Sequence, residues 1–72
     1  MKTKQILDTG IYTDGRGNVR EILGRGKPRH GQQDYDVVRF KVIAKLRGPL
    51  TLGSVHTCTR KNFGLWAEAR LT

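Results

Sequence analysis

The segment Tyr35–Ala44, YDVVRFKVIA, alternates apolar and polar side chains in the way typical of a half-buried β-strand. The apolar positions share one face of such a strand: Val38, Phe40, Val42 and Ala44. Arg39 and Lys41 project from the opposite face, because successive side chains of a strand alternate. The segment therefore predicts a strand with one core face and one partly cationic face.

Turn-forming residues divide the chain before this strand. Short apolar pairs between Ile6 and Tyr12, separated by Asp8, Thr9 and Gly10, indicate a first strand with a kink or bulge. TDGRGN, residues 13–18, contains an Asp-Gly pair and predicts a hairpin turn. The next segment, 18–23, is compatible with a strand or with a short helix that has a capping box. We favour the strand, because Gly24 would stop the helix after barely one turn.

After the clearest strand, LRGP predicts a turn, and LTLGSVHTCT predicts a fourth strand from about Leu50. A C-terminal helix, RKNFGLWAEARL, follows with Thr59 as its N-cap. Its expected core stripe has helical spacing: Phe63, Trp66, Ala67 and Leu71. We expect this stripe to face the sheet.

The length of 72 residues permits one small domain, residues 1–72, with a single core. Cys58 is the only cysteine, so no internal disulfide supports that core. The sequence predicts an α+β or mostly β fold, with about four curled antiparallel strands closed by one C-terminal helix. An SH3-like barrel is the nearest architecture. We expect a cytoplasmic protein, because no apolar run suits a membrane span or a signal peptide.

The charge is unevenly distributed. Fourteen Lys and Arg against six Asp and Glu give a formal net charge of +8, and no acid occurs between Val37 and Ala67. Such a field attracts polyanions and favours phosphate-bearing partners. We therefore expect a small noncatalytic protein that binds nucleic acid, DNA or RNA, through its phosphate backbone. The alternatives are a basic surface that only keeps the protein soluble, or a phage- or plasmid-type accessory protein that binds an acidic protein surface.

Residues 24–34 form the predicted mobile basic loop, within LGRGKPRHGQQ. Its glycines do not match a dinucleotide-binding fingerprint, because Pro28 stands where a helix would be under way and no further glycine has the right spacing. They do not match a P-loop either, because Gln32 stands in place of the lysine. Arg25-Gly26-Lys27-Pro28-Arg29 resembles the core of the AT-hook family, with Lys27 in place of an arginine and Gly24 in place of the preceding proline. That resemblance implies Arg25 and Lys27 in an A·T minor groove and Arg29 on a phosphate. A solvated connector between strands is the alternative.

The candidate nucleic-acid-binding residues come from the loop, the cationic strand face and the helix start: Arg25, Lys27, Arg29, His30, Arg39, Lys41, Arg60 and Lys61. Cations at a helix start oppose the helix dipole, which favours a bound anion there. We expect no cofactor, no metal site and no membrane partner. A small RNase-like enzyme, with His30 or His56 as base and Arg60 on phosphate, is a remote alternative, as is a nucleophilic His56–Cys58 pair.

Overall fold

A computed structural model describes residues 1–27 and 36–72. The elements, in chain order, are a 3-10 helix Thr3–Gln5, strands β1 Gly10–Thr13, β2 Val19–Arg25, β3 Val37–Ala44 and β4 Val55–Thr59, helix α1 Arg60–Trp66, and strand β5 Ala69–Arg70. All strand pairs are antiparallel, in the order β4-β3-β2-β1-β5. The expected α+β or mostly β class is therefore confirmed. The sheet is not closed into a barrel, because the outer strands β4 and β5 do not pair with each other.

The hairpin between β1 and β2 forms where the Asp-Gly signal predicts it. Gly15 and Gly17 have φ angles of 76° and 90°, which other residues rarely adopt. The Asp14 carboxylate accepts hydrogen bonds from the backbone N–H groups of Arg16 and Asn18, at 2.8 and 3.2 Å. This local network closes the turn and brings Thr13 opposite Val19.

Strand β2 is a strand rather than a helix, in agreement with the favoured prediction. It continues past Gly24 to Arg25, so the expected loop begins later than the sequence indicated. Gly24 has a φ of 145° and lies at an irregularity in the β2–β3 pairing, between Ile22 and Gly24. This glycine therefore accommodates a bulge instead of ending the strand.

The hydrophobic core lies on one face of the sheet. Its buried side chains are Ile6, Tyr12, Ile22, Val38, Phe40, Val42, Phe63 and Ala67. Phe63 of α1 is in edge contact with Tyr12 and with Phe40, with ring centroids 5.4 and 5.5 Å apart. The predicted alternation of β3 is confirmed, since Val38, Phe40 and Val42 are buried there.

Helix α1 is shorter than the sequence predicted. Thr59 caps it as expected, because its hydroxyl accepts a hydrogen bond from the N–H of Asn62 at 3.1 Å. The chain leaves the helix at Ala67, and Leu71 is 53% exposed, so the prediction that Leu71 extends the core stripe is wrong. The tail pairs with β1 instead, where Leu71 donates from its N–H to the carbonyl of Ile11. This pairing satisfies backbone groups at the sheet edge that would otherwise lack partners.

The fourth strand also differs from its expected extent. Residues 51–54 form a turn, in which Gly53 has a φ of 83°, and β4 begins only at Val55. The turn remains attached to the sheet, since the N–H of Gly53 donates to the carbonyl of Val42 at 2.7 Å. Among the described residues, no helix is long and apolar enough to cross a membrane.

Candidate functional site

The face of the sheet opposite α1 is open in the described part of the chain. Arg39 and Lys41 both project from it and are exposed. Their neighbours on β4 are Thr57 and Val55, and Glu21 of β2 lies opposite Lys41. The cationic strand face predicted from the alternation of β3 is therefore present as a geometric feature, interspersed with one acid and with apolar side chains. We call it the open sheet face.

The expected basic loop is only partly described. Arg25 ends β2 and Lys27 follows it, and both side chains are exposed. Arg25 lies 3.8 Å from the Asp36 carboxylate in an exposed ion pair. Arg29 and His30 lie outside the described residues, and so does Pro28 of the segment that resembles the AT-hook. Their expected role stays a prediction.

Arg60 is the first residue of α1, as expected, but its side chain is buried and not exposed. Its side chain is 11% exposed and bonds to two carboxylates, with Nη2 2.5 Å from Asp8 and Nε 2.6 Å from Asp36. Nη1 donates to the carbonyl of Ile6 at 2.5 Å. The hydrogen bonds that Arg60 donates to Asp36 and Asp8 outweigh the burial of its guanidinium and raise the pKa of Arg60. Arg60 therefore ties α1 to the N-terminal segment and to β3, and we leave it out of the proposed binding surface.

Lys61 is exposed beside Arg60 at the start of α1. The helix has seven residues, and its N-cap hydroxyl already accepts from Asn62. A helix this short contributes little dipole to hold an anion. Lys61 thus remains a candidate through its charge alone.

A cleft that the sequence did not reveal lies at one end of the sheet, between the β1–β2 turn and the β3–β4 connection. Its volume is about 590 Å³. Three arginines and one tryptophan line it: Arg16, Arg20, Arg47 and Trp66. The other lining residues come from the two turns: Asp14, Asn18, Leu46, Gly48 and Pro49. We call this feature the arginine cleft. A smaller depression beside it shares Arg20 and Arg47 and adds Lys45.

Asn18 ties together the two turns that form the arginine cleft. Its side-chain oxygen accepts hydrogen bonds from the N–H groups of Leu46 and Arg47, at 2.9 and 3.1 Å. Its side-chain nitrogen donates to Asp14 at 2.7 Å. The turn carrying Arg16 and the turn carrying Arg47 are therefore held at a set separation by one amide group.

Arg20 lies on the core side of β2, at the inner wall of the arginine cleft. Its guanidinium carbon is 4.0 Å from the ring centroid of Trp66 and 4.8 Å from that of Phe40. Its cross-strand neighbours are Tyr12 and Val42, which carry no charge. Burial lowers the pKa of Arg20, and the charge of Asp14 opposes that shift. No carboxylate lies within 4.0 Å of this guanidinium among residues 1–27 and 36–72.

Three of the described acids, Asp8, Asp14 and Asp36, are occupied by internal bonds. Asp8 and Asp36 bind Arg60. Burial raises the pKa of Asp14, but hydrogen bonds from Asn18 and Arg16 outweigh it, so the pKa lies below its ordinary value. Asp14 is therefore an ionised part of the turn, with both carboxylate oxygens already accepting hydrogen bonds.

His56 and Cys58 share the core face of β4, as expected from their spacing. The imidazole Nε2 lies 2.7 Å from the Ser54 hydroxyl. Burial raises the pKa of the Cys58 thiol, although the nearby Arg20 lowers it. The thiol is therefore protonated near neutral pH, which is the opposite of an activated nucleophile. Within the described ranges, no group of three or more His, Cys, Asp or Glu side chains is arranged to hold a metal ion.

Sequence reasoning assigned Trp66 mainly to the core and did not select Arg16, Arg20 or Arg47. Arg16 and Arg20 lie in and just after the β1–β2 turn, but Arg47 lies in a turn far along the chain, and no motif links the three. Asn18, at the end of the Asp-Gly turn, was the sequence feature that pointed toward the cleft. Its hydrogen bond with the N–H of Leu46, which joins the two turns, is visible only in three dimensions. Comparisons with protein-family models, with curated proteins and with solved structures found no match to this chain.

Proposed function

We propose that this protein is a small noncatalytic nucleic-acid-binding domain that contacts the phosphate backbone. The observation that supports this most directly is how the charges are used: Asp8, Asp14 and Asp36 form internal bonds, whereas most described lysines and arginines are exposed without an ion pair. Asp8 and Asp36 are bound to Arg60, and Asp14 is bound within its turn. Apart from Arg25 and Arg60, no lysine or arginine in the described ranges forms an ion pair.

The open sheet face supplies the first contact in this proposal. Arg39 and Lys41 are alternate residues of one strand, so their Cα atoms are roughly 7 Å apart on the same side of the sheet. Such a row of cations neutralises phosphates and releases counterions, a sequence-independent contribution to affinity. Arg25 and Lys27 add exposed cations at the end of β2, with Arg25 opposite Val38 on the α1 side of the sheet. Arg29 and His30 join them by the sequence prediction. We place the protein in the cytoplasm, where nucleic acid is accessible.

Charge reversal on the open sheet face tests the proposal. The double variant Arg39→Glu with Lys41→Glu should weaken binding to labelled single-stranded DNA, duplex DNA and RNA, measured by fluorescence anisotropy over a salt series. The slope of log affinity against log salt should fall by about 1 to 2. Lys2→Glu with Lys4→Glu makes the same change in net charge at exposed N-terminal positions and is the matched control. Equal losses in the two double variants, or no binding of any oligonucleotide at moderate salt, would refute the proposal.

A second function is favoured by a different property of the same face. Ile43 and Val55 are 38% and 42% exposed beside Arg39 and Lys41, and an apolar patch with cationic neighbours suits an acidic protein surface. An accessory protein of this kind would bind polyglutamate as tightly as it binds nucleic acid of equal charge. Competition between polyglutamate and an oligonucleotide therefore separates the two functions.

A further inference from the structure

We infer that the arginine cleft is a phosphate site, in which Arg20, Arg16 and Arg47 together hold one phosphate group of a nucleic-acid chain. The inference rests on the proposed nucleic-acid function and names a specific site for it, on the side of the sheet opposite the open sheet face. Three features of the cleft carry it: an arginine that has no carboxylate partner among the described residues, two turns held in register, and an aromatic wall.

The first feature is the position of Arg20. A half-buried guanidinium loses part of its hydration, and this cost is normally recovered through a carboxylate or a bound anion. Stacking of the guanidinium face on Trp66 and Phe40 recovers some of this cost. The N–H donors lie in the plane of the guanidinium, at its edge, and stacking does not give them a hydrogen-bond acceptor. A phosphate in the cleft would accept from those donors, and the planar fork of arginine matches phosphate geometry.

The second feature is the way in which the other two arginines are presented. Arg16 and Arg47 are exposed, but each is anchored by its own backbone N–H: that of Arg16 donates to Asp14, and that of Arg47 donates to Asn18. The backbone positions from which these side chains extend are therefore set before a ligand arrives, which reduces the entropy lost on binding. Glu68 lies with Arg16 in an adjoining depression and would oppose an anion there, which favours the end of the cleft near Arg20 and Arg47.

The third feature makes the site observable. Trp66 is the only tryptophan of the chain, it lines the arginine cleft and it contacts Arg20. A phosphate that engages Arg20 changes the charge next to the indole ring. Intrinsic fluorescence of the intact protein therefore reports on this cleft, while anisotropy of a labelled oligonucleotide reports on the whole binding surface.

The experiment titrates the protein with inorganic phosphate, with a 5′-phosphorylated single-stranded oligonucleotide and with the same oligonucleotide ending in a 5′-hydroxyl, at constant ionic strength. We expect saturable changes in Trp66 fluorescence with the oligonucleotides. Arg20→Gln should weaken the affinity obtained from this signal about tenfold or more, which is the size of effect expected for one charge-assisted hydrogen-bonding pair. Lys4→Gln removes one exposed cation that lines neither the arginine cleft nor the open sheet face, and it should leave the fluorescence titration unchanged.

Arg20 also stacks on core rings, so Arg47→Gln serves as a second variant in which the lost side chain is exposed and cannot disturb the core. Unchanged Trp66 titrations in both Arg20→Gln and Arg47→Gln, with oligonucleotide binding intact by anisotropy, would overturn the phosphate site and leave the proposed function standing. Loss of all oligonucleotide binding in the unaltered protein would overturn the proposed function instead. Tighter binding of the 5′-phosphorylated strand assigns the cleft to a terminal phosphate, and equal binding of the two strands assigns it to internal phosphates.

Discussion

The guanidinium of Arg60 and the carboxylate of Asp36 form a two-point contact, with Nε 2.6 Å from Oδ2 and Nη2 3.2 Å from Oδ1. The same guanidinium reaches Asp8 and the carbonyl of Ile6, so one side chain connects three separate segments of the chain. In a domain of 72 residues with no disulfide, such a connection contributes a large share of the tertiary constraint.

Arg60→Gln should destabilise the fold by about 2 kcal/mol. The variant leaves two carboxylates and one carbonyl without their donor, and both carboxylates are partly exposed, so the cost falls below that of a fully buried pair. Urea unfolding followed by circular dichroism measures the change. Lys61→Gln, at the adjacent exposed position, is the matched control and should change the unfolding free energy by less than about 0.5 kcal/mol.

Stability at acidic pH should depend on Asp36. The hydrogen bond from Arg60 lowers the pKa of Asp36 below its ordinary value of 3.8, despite the opposing effect of burial. The stabilisation is therefore fully present above the pKa of the unfolded chain and is lost as the pH falls through the lower pKa of the folded chain. Urea unfolding at a series of pH values should show Asp36→Asn less stable than the unaltered protein at neutral pH and equal to it at low pH. A constant difference at every pH would contradict the assignment.

Phe63 and Leu71 should respond very differently to truncation, although both belong to the apolar stripe expected from the sequence. Phe63 is fully buried between Tyr12 and Phe40, and Phe63→Ala should cost about 3 kcal/mol or more. Leu71 is exposed in the tail, and Leu71→Ala should cost less than about 0.5 kcal/mol. Thermal unfolding of the two variants measures the contrast. A large loss in Leu71→Ala would indicate that the helix continues beyond Trp66.

Asn18→Ala should loosen the arginine cleft. The variant removes the acceptor for the N–H groups of Leu46 and Arg47 and the donor to Asp14, at a cost of about 1 to 2 kcal/mol. The Trp66 fluorescence titration with the 5′-phosphorylated oligonucleotide should show a lower affinity even where the variant remains folded. The reason is that Arg16 and Arg47 are no longer held in register. Asn62→Ala, at an exposed position of α1, is the control and should leave that titration unchanged.

The alternation of β3, the Asp-Gly turn and the Thr59 cap were predictable from the sequence because each depends on residues close together in the chain. Period-two hydrophobicity places Val38, Phe40 and Val42 on one face whatever the rest of the fold does. A helix cap requires only a hydroxyl near the first free N–H groups, and Asn62 is three residues from Thr59. The cationic character of the opposite strand face follows from the same local rule.

The end of α1 at Trp66 and the burial of Arg60 were not predictable in this way. Leu71 has the spacing of a helix residue, but the tail pairs with the backbone of β1 at the edge of the sheet. No pattern of neighbouring residues predicts that pairing. Arg60 looks like a surface cation in the sequence, since its partners Asp8 and Asp36 are 52 and 24 residues away. Long-range partners of this kind determine whether a charge belongs to the interior or to the surface.

Local pattern thus defined strands β2 and β3, the main turn and an excess of positive charge, because these depend on neighbours along the chain and on composition. Three-dimensional packing decided which cations are free to contact a ligand. It buries Arg60 inside the fold and leaves Arg39 and Lys41 on an open face. It also brings Arg16, Arg20 and Arg47 together at one cleft. The physical reason is that a charge's partner is its nearest neighbour in space, and in an antiparallel sheet that neighbour comes from a strand or turn distant in sequence.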